Sequence, residues 1–308
     1  MLHVQQLRKN YGPLVAVNGI EFSLNPGDIF GFIGSNGAGK TTTIKMLATL
    51  LEPSSGDATL NGKSINDDPM AIRRMIGYMP DFFGLYDDVK VWEYLDFFAN
   101  LYRVPQSDRP AIIDSVLEIT DLTIKKDSYV QSLSRGMQQR LCLARCLVHD
   151  PAMLLLDEPA SGLDPRARAD LKELILELGR MGKIIIVSSH ILPELEGFCS
   201  VVGIIERGNM LAFGPVGQVL DHVQPLKQMV IRIVGDPLAA QSTLIGCESI
   251  VQASATEYGL AVDFNGGEAE QVDILKRLVA GGVSVSEFRR AEANLEDAFM
   301  RLTQGAVN

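Results

Sequence analysis

The sequence predicts an α/β fold: a parallel core sheet covered on both faces, with N-terminal antiparallel strands, an inserted helical subdomain and a small α+β unit at the C-terminal end. Three observations carry this. The apolar runs "DIFGFIG", "AMLLLDEP" and "KIIIVSSH" have the length of buried strands, and helix-patterned stretches lie between them. A Gly-rich segment, "GSNGAGKTT" at residues 34–42, joins the first of these runs to a helix pattern. Beyond residue 220 the pattern changes to short strands interleaved with helices. There, 7 Lys+Arg against 12 Asp+Glu concentrate half of the chain's net charge of −10 in residues 221–308.

Taken in order, residues 1–33 alternate apolar and polar with Gly and Pro breaks, so they read as short strands leading into "DIFGFIG". "TTTIKMLATLL" reads as a helix that stops near Pro53, and "EPSSGDATLNGKSI" as turn, strand, turn. Residues 68–75 are helical in pattern and "MIGYMP" is a short strand. From Val89 to about Asp150 the pattern is almost wholly helical. Within it Ser134 is placed to cap "RGMQQRLCLARCLVHD", whose Leu141, Ala144, Leu147 and Val148 form an apolar stripe ended by Asp150-Pro151. The amphipathic "PRARADLKELILELGRMG" then separates the last two buried runs. The tail reads strand 229–235, helix 237–244, strand, strand 258–265, helix 268–280, strand 283–289 and a final helix "NLEDAFMRLT". That βαββαβ order fits a small ferredoxin-like sandwich, and it sets expected domains of 1–222 and 223–308.

Composition narrows the setting. Net negative charge opposes non-specific attraction to nucleic acid. No window approaches the roughly 18 apolar residues of a membrane span, and "MLHVQQLRKNYG" lacks the apolar run of a signal peptide. The chain reads as cytosolic, so any membrane work needs another chain's membrane segment. Cys142, Cys146, Cys199 and Cys247 have neither CxxC nor metal-ligand spacing and read as small buried apolar residues.

Residues 34–42 match G-x-x-x-x-G-K-[ST] between an expected strand and an expected helix, the context the motif requires. Backbone N–H groups from Ser35, Asn36, Gly37, Ala38 and Gly39 would wrap phosphates at a helix N-terminus. Lys40 would reach the β- and γ-phosphates, Thr41 would ligate Mg²⁺ and Thr42 would bond the α-phosphate. "MLLLDEP" is a buried run that emerges into Asp157 and Glu158, an arrangement that makes sense where a cation or proton waits. Asp157 suits a water-mediated hold on Mg²⁺, and Glu158 suits polarising an attacking water.

The order of these parts carries a resemblance. A phosphate cradle is followed by a helical insert, then "LSRGM" opening a helix, then a strand ending in Asp-Glu, then "SGLD", then a strand ending in His190. Over roughly residues 1–220 the chain resembles the nucleotide-binding subunits of ATP-binding cassette (ABC) transporters, P-loop NTPases of ABC type. The resemblance implies that Ser134 and Gly136 of one subunit face the γ-phosphate of ATP held by another. Arg135 and Met137 depart from the Leu-Ser-Gly-Gly-Gln pattern, and a guanidinium there is charge-compatible with polyphosphate. It further implies an adenine-stacking ring at Tyr11 with Val17 adding an apolar contact, a γ-phosphate contact at His190 and an interface turn at Asp164. At the family's glutamine position stands Asp81, implied as a further Mg²⁺ ligand.

Residues 82–102 hold 8 of the chain's 20 aromatics. Val91, Leu95, Phe98 and Tyr102 fit one helical face, whereas Phe82, Phe83, Leu85 and Tyr86 precede that helix and look surplus to a core. By resemblance this is where a membrane permease docks. The implied protein is an Mg²⁺-dependent ATPase that dimerises around ATP with a like subunit, same or paralogous, and drives a separate permease of the export kind from the inner face of the cell membrane. The competing readings are an ABC-type regulatory module without transport and a DNA-associated ABC ATPase; the latter's long coiled coils have no counterpart in this chain.

Overall fold

The computed structural model describes residues 1–82, 84, 86, 88–191, 195, 197–223, 227–290, 295–296, 299–300 and 302. The chain divides into two compact units, Met1–Val219 and Leu220–Ala306.

In the first unit, β1 (Leu2–Tyr11) and β2 (Leu14–Leu24) pair antiparallel, from Leu2 opposite Leu24 to Tyr11 opposite Leu14. Alternation turns Leu2 and Val4, with Ile20, Phe22 and Leu24, into the core, and an irregularity between Val4 and Leu7, where Gln6 has φ +48°, returns Leu7 to the same face. With β4 (Ser55–Leu60) and β5 (Lys63–Ser64) they form a sheet of order β2-β1-β4-β5. The second sheet contains β3 (Ile29–Ile33), β6 (Ile76–Met79), β7 (Met153–Asp157), β8 (Ile184–Ser189), β9 (Val201–Glu206) and β10 (Asn209–Pro215). Its order is β10-β9-β3-β8-β7-β6, and every pair is parallel except β10 with β9.

Every residue of β3, β7 and β8 is buried, as the continuous apolar runs require when both faces of a parallel sheet are covered. Register sets Ile33 beside Ser189 and Asp157 beside Ser188. The carboxyl ends of three neighbouring strands therefore open at one edge of the sheet, where ligands bind in open α/β folds.

Helix α1 (Lys40–Leu47) leaves that edge directly after β3. Asp68 caps α2 (Pro69–Met75), accepting from the Ala71 N–H. The insert holds α3 (Val91–Leu101), α4 (Arg109–Ile119) and α5 (Arg135–Leu147), joined in part by 3₁₀ turns at Thr123–Lys125 and Val130–Ser132. It is thus less continuously helical than its pattern suggests, because Pro105 and the turns around Asp121 and Tyr129 interrupt it. α6 (Pro165–Arg180) buries Leu171, Ile175 and Leu178, the stripe of an amphipathic helix.

α7 (Val216–Val223) spans the point where one unit gives way to the next. The second unit runs β11 (Lys227–Val234), α8 (Pro237–Thr243), β12 (Ile250–Thr256), β13 (Gly259–Phe264), α9 (Glu268–Ala280), β14 (Ser284–Arg290). This is a βαββαβ succession whose sheet order is β12-β13-β11-β14, antiparallel throughout. Met229, Ile231, Leu260, Val262, Phe264 and Ile274 fill its core. Of the expected last helix, Leu295, Glu296, Phe299, Met300 and Leu302 are helical, and the rest of that segment lies outside the described residues.

Candidate functional site

The site begins where β3 ends. Residues 34–39 turn so tightly that side chains are excluded at two points. A Cβ on Gly34 would stand 2.4 Å from the Ile205 carbonyl oxygen. One on Gly39, at φ +116°, would stand 2.6 Å from that of Ala16. The turn is pinned from behind, the Gly208 N–H donating to the Ala38 carbonyl at 2.9 Å and the Asn18 N–H to the Gly208 carbonyl at 2.8 Å. Asn36 and Gly37 are exposed at its rim, and Ala38, Gly39 and Lys40 are buried beneath it.

Lys40 Nζ donates to the carbonyls of Gly34 (2.7 Å) and Ser35 (3.2 Å) and lies 3.8 Å from Glu158 Oε1. Burial lowers the pKa of this ammonium, and the charges of Glu158 and Asp157 oppose the shift. Thr41 is exposed, with its hydroxyl donating to Asp157 Oδ1 at 3.1 Å, and Thr42 is half-buried.

Asp157 and Glu158 arrive at the end of β7, as their sequence context predicts. Asp157 is only 1% exposed, and Oδ1 also accepts from Ser188 Oγ on β8 at 2.6 Å. Ser188 Oγ accepts in turn from the Glu158 N–H at 3.0 Å, so one hydroxyl ties both acids to the neighbouring strand. Glu158 itself sits at φ +51°, a left-handed conformation that few glutamates adopt. Its Oε2 is 2.9 Å from His190 Nδ1. Three separate segments thereby bring Lys40, Thr41, Asp157, Glu158, Ser188 and His190 into one connected cluster.

This donor set fits a small hard cation only in part. The Thr41 hydroxyl and the Asp157 carboxylate converge as oxygen donors, yet the described residues contain no group of three or more His, Cys, Asp or Glu side chains able to hold a metal alone. That incompleteness suits magnesium carried in with phosphates, which keeps water and takes one or two protein oxygens. Asp81 is exposed. Burial pushes the Tyr78 hydroxyl up to about 12, with Asp157 and Asp81 adding to the effect, so both acids act on this one group.

The remaining predicted residues divide. Tyr11 is exposed at the end of β1, with the Lys9 ammonium 5.6 Å from its ring centroid. Val17 is fully buried on β2, and its Cγ2 would stand 3.4 Å from a Cβ on Gly39, so it packs beside the cradle. Ser134 caps α5, accepting from the Met137 N–H at 3.4 Å, and Met137 is half-buried. Gly136 abuts α6, where a Cβ would meet Ala167 Cβ at 3.3 Å. The Arg135 guanidinium donates to the Ser161 carbonyl of the same chain at 3.3 Å. Asp164 caps α6, accepting from the N–H groups of Arg166 and Ala167. Phe82 and Tyr86 are exposed, Tyr86 meeting Phe97 edge-on at 5.8 Å, while Phe83 and Leu85 lie outside the described residues.

Two neighbours of the site escaped the sequence reading. Ser188 stands in "VSSH", where paired hydroxyls at the end of an apolar run were a usable signal. Glu206, in "IIERG", accepts from Ser35 Oγ at 2.8 Å, and its only signal was again an acid ending a buried strand.

Comparison with known proteins gives consistent answers. Residues 17–161 match the family model described as ABC transporter. The chain is 33% identical over 305 residues to the Nod factor export ATP-binding protein I of Ralstonia nicotianae, covering 98% of this chain and 94% of that one. It is 30% identical over 305 residues to the linearmycin resistance ATP-binding protein of Bacillus subtilis, covering 98% of each. Among solved structures, an ATP-binding subunit of an ABC transporter superposes with a TM-score of 0.65 at 30% identity, over 72% of this chain and 92% of that one. The protein cbiO1 from Clostridium perfringens, part of the ABC transporter complex cbiONQ, gives 0.64 at 27% identity over 73% of this chain and 94% of that one.

Proposed function

The chain belongs to the ABC transporter family as an ATP-hydrolysing subunit, and from that premise we propose that it dimerises around Mg·ATP and powers a separate membrane permease of the export kind. One observation supports this above the others. Lys40, Thr41, Asp157, Glu158 and His190 come from three segments, yet hydrogen bonds and an ion pair join them in a single cluster at the mouth of the Gly34–Thr42 turn.

In this reading the N–H groups of residues 35–42 and the start of α1 receive the phosphates. Tyr11 stacks on adenine. Thr41 and Asp157, with Asp81 beside them, would hold Mg²⁺, which when bound neutralises charge on the phosphate oxygens. Glu158 orients the water that attacks the γ-phosphorus and takes its proton as the bond to the β–γ bridging oxygen breaks. His190 holds that carboxylate in place. Ser134 and Gly136 of the second subunit close on the γ-phosphate, and Asp164 lies at the turn that passes between subunits. Closure follows because the nucleotide contacts both halves only in the closed form.

No helix among the described residues is long and apolar enough to cross a membrane, and in this reading the permease is a separate chain. Exposed Phe82 and Tyr86 would anchor it, bringing this subunit to the inner face of the membrane. Residues 1–222 form the ATP module and 223–308 an accessory domain. The export assignment follows the names of the relatives. Purified protein should release phosphate from Mg·ATP and should co-purify with a multi-span membrane protein. Turnover without any such companion would favour a different role for the ATPase.

A further inference from the structure

Position 135 carries a side chain that the nucleotide cradle of its own chain does not use. We propose that Arg135 is a positioning residue: it clamps the start of α5 to the turn that follows Glu158, so that Ser134, Gly136 and Asp164 move as one body. This rests on the dimer reading above, in which those residues serve a partner's nucleotide.

The clamp has three parts. The Arg135 guanidinium donates to the Ser161 carbonyl at 3.3 Å. It also fills the place where Gly162 would carry a side chain. A Cβ there would stand 2.4 Å from one terminal nitrogen, 2.5 Å from Cζ and 2.8 Å from the other nitrogen. Gly162 lies at φ +69°, so glycine suits both the turn and the guanidinium. Five residues along α5, Arg140 bonds Asp170 on α6 and Asp121 at the end of the α4 turn. Between these points Gly136 lies close against Ala167. Two arginines and one close approach therefore hold α5 to the segment 161–170.

The clamp also reaches the catalytic strand. The Ser161 N–H donates to the Glu158 carbonyl at 3.1 Å, so Arg135 grips one side of a peptide turn whose other end is Glu158. In a dimer, Glu158 acts on the nucleotide of its own chain, whereas Ser134 acts on that of the partner. Arg135 thus links the two ATP sites through a short chain of contacts. A charged fork that bonds a carbonyl and covers a glycine suits this task better than a lysine ammonium.

The test compares Arg135→Gly, Arg135→Lys and Gly162→Ala, alone and combined, in the full-length protein. ATP binding to the separated subunit should stay unchanged in Arg135→Gly. Its kcat should fall about tenfold, with a Hill coefficient for ATP dropping to about 1 from a higher value in the parent. Arg135→Lys should recover only part of the loss. Gly162→Ala should lower kcat, and by a smaller factor in the Arg135→Gly background, where the guanidinium is no longer there for the new methyl group to strike. A raised KM for ATP with kcat unchanged would place Arg135 on the partner's phosphates and overturn the clamp. A lowered melting temperature with unchanged kcat and cooperativity would reduce it to structural support. Failure of the parent protein to dimerise would instead sink the dimer reading, and this inference with it.

Discussion

His190 Nδ1 lies 2.9 Å from Glu158 Oε2, while Lys40 Nζ lies 3.8 Å from the other oxygen of the same carboxylate. Glu158 is therefore held between an imidazole and an ammonium, one on each oxygen, at a backbone conformation that leaves its side chain little choice of direction. In the proposed mechanism His190 orients this one acid. Removing it in His190→Ala should lower kcat by about a hundredfold while leaving ATP affinity nearly unchanged. Steady-state phosphate release and nucleotide titration separate the two quantities.

Ser188 bonds Asp157 Oδ1 at 2.6 Å and receives the Glu158 N–H at 3.0 Å, so it orients both acids without facing the substrate. Ser188→Ala leaves the nearly inaccessible Asp157 with one donor fewer. The magnesium concentration for half-maximal turnover should rise about tenfold, as for other residues that orient a metal ligand. A magnesium titration of turnover reads this directly.

Gly39→Ala places a methyl group 2.6 Å from the Ala16 carbonyl at φ +116°, where L-residues are strained in any case. The variant should lose about 2 kcal/mol or more of stability and most of its nucleotide binding. Denaturant unfolding and binding titration would show both. Gly37→Ala is the control: a Cβ there meets nothing within 4 Å, so its penalty comes from φ +83° alone and should be smaller.

His149 gives the fold a pH dependence of known sign. Its Nε2 donates to the Ile76 carbonyl at 2.9 Å, its ring stacks on Tyr102 at 3.6 Å, and its buried Nδ1 has no partner among the described residues. Burial lowers its pKa, against a raising effect from the Ile76 carbonyl. The unfolded chain then binds the proton more readily, so this stability is present above the ordinary histidine value of 6.5 and is lost as pH falls through and below it. Thermal melts between about pH 7.5 and pH 5 should show that loss, and His149→Phe, which keeps the stacked ring, should flatten it.

Much of this was legible in the residues themselves. The apolar runs at β3, β7 and β8 have the length and composition of strands covered on both faces, and the Gly34–Thr42 spacing leaves few alternatives to a phosphate cradle. The tail likewise shows its βαββαβ order through alternation. What the chain hides is cross-strand chemistry. Ser188 acquires meaning only when β8 lies beside β7 with Asp157 in register, and Arg135 only when α5 lies against the turn after Glu158. Val17 was likewise hidden as a packing residue, since its burial beside Gly39 depends on an irregular stretch of β2 that simple alternation does not show.

The account stands on nucleotide joining two copies, and a catalytically silent subunit tests that most directly. Glu158→Gln should bind Mg·ATP without cleaving it, so light scattering should show the mass of 33.6 kDa doubling at saturating nucleotide and returning when nucleotide is removed. A mass that stays at 33.6 kDa under saturation, with the permease present as well as absent, would contradict the account.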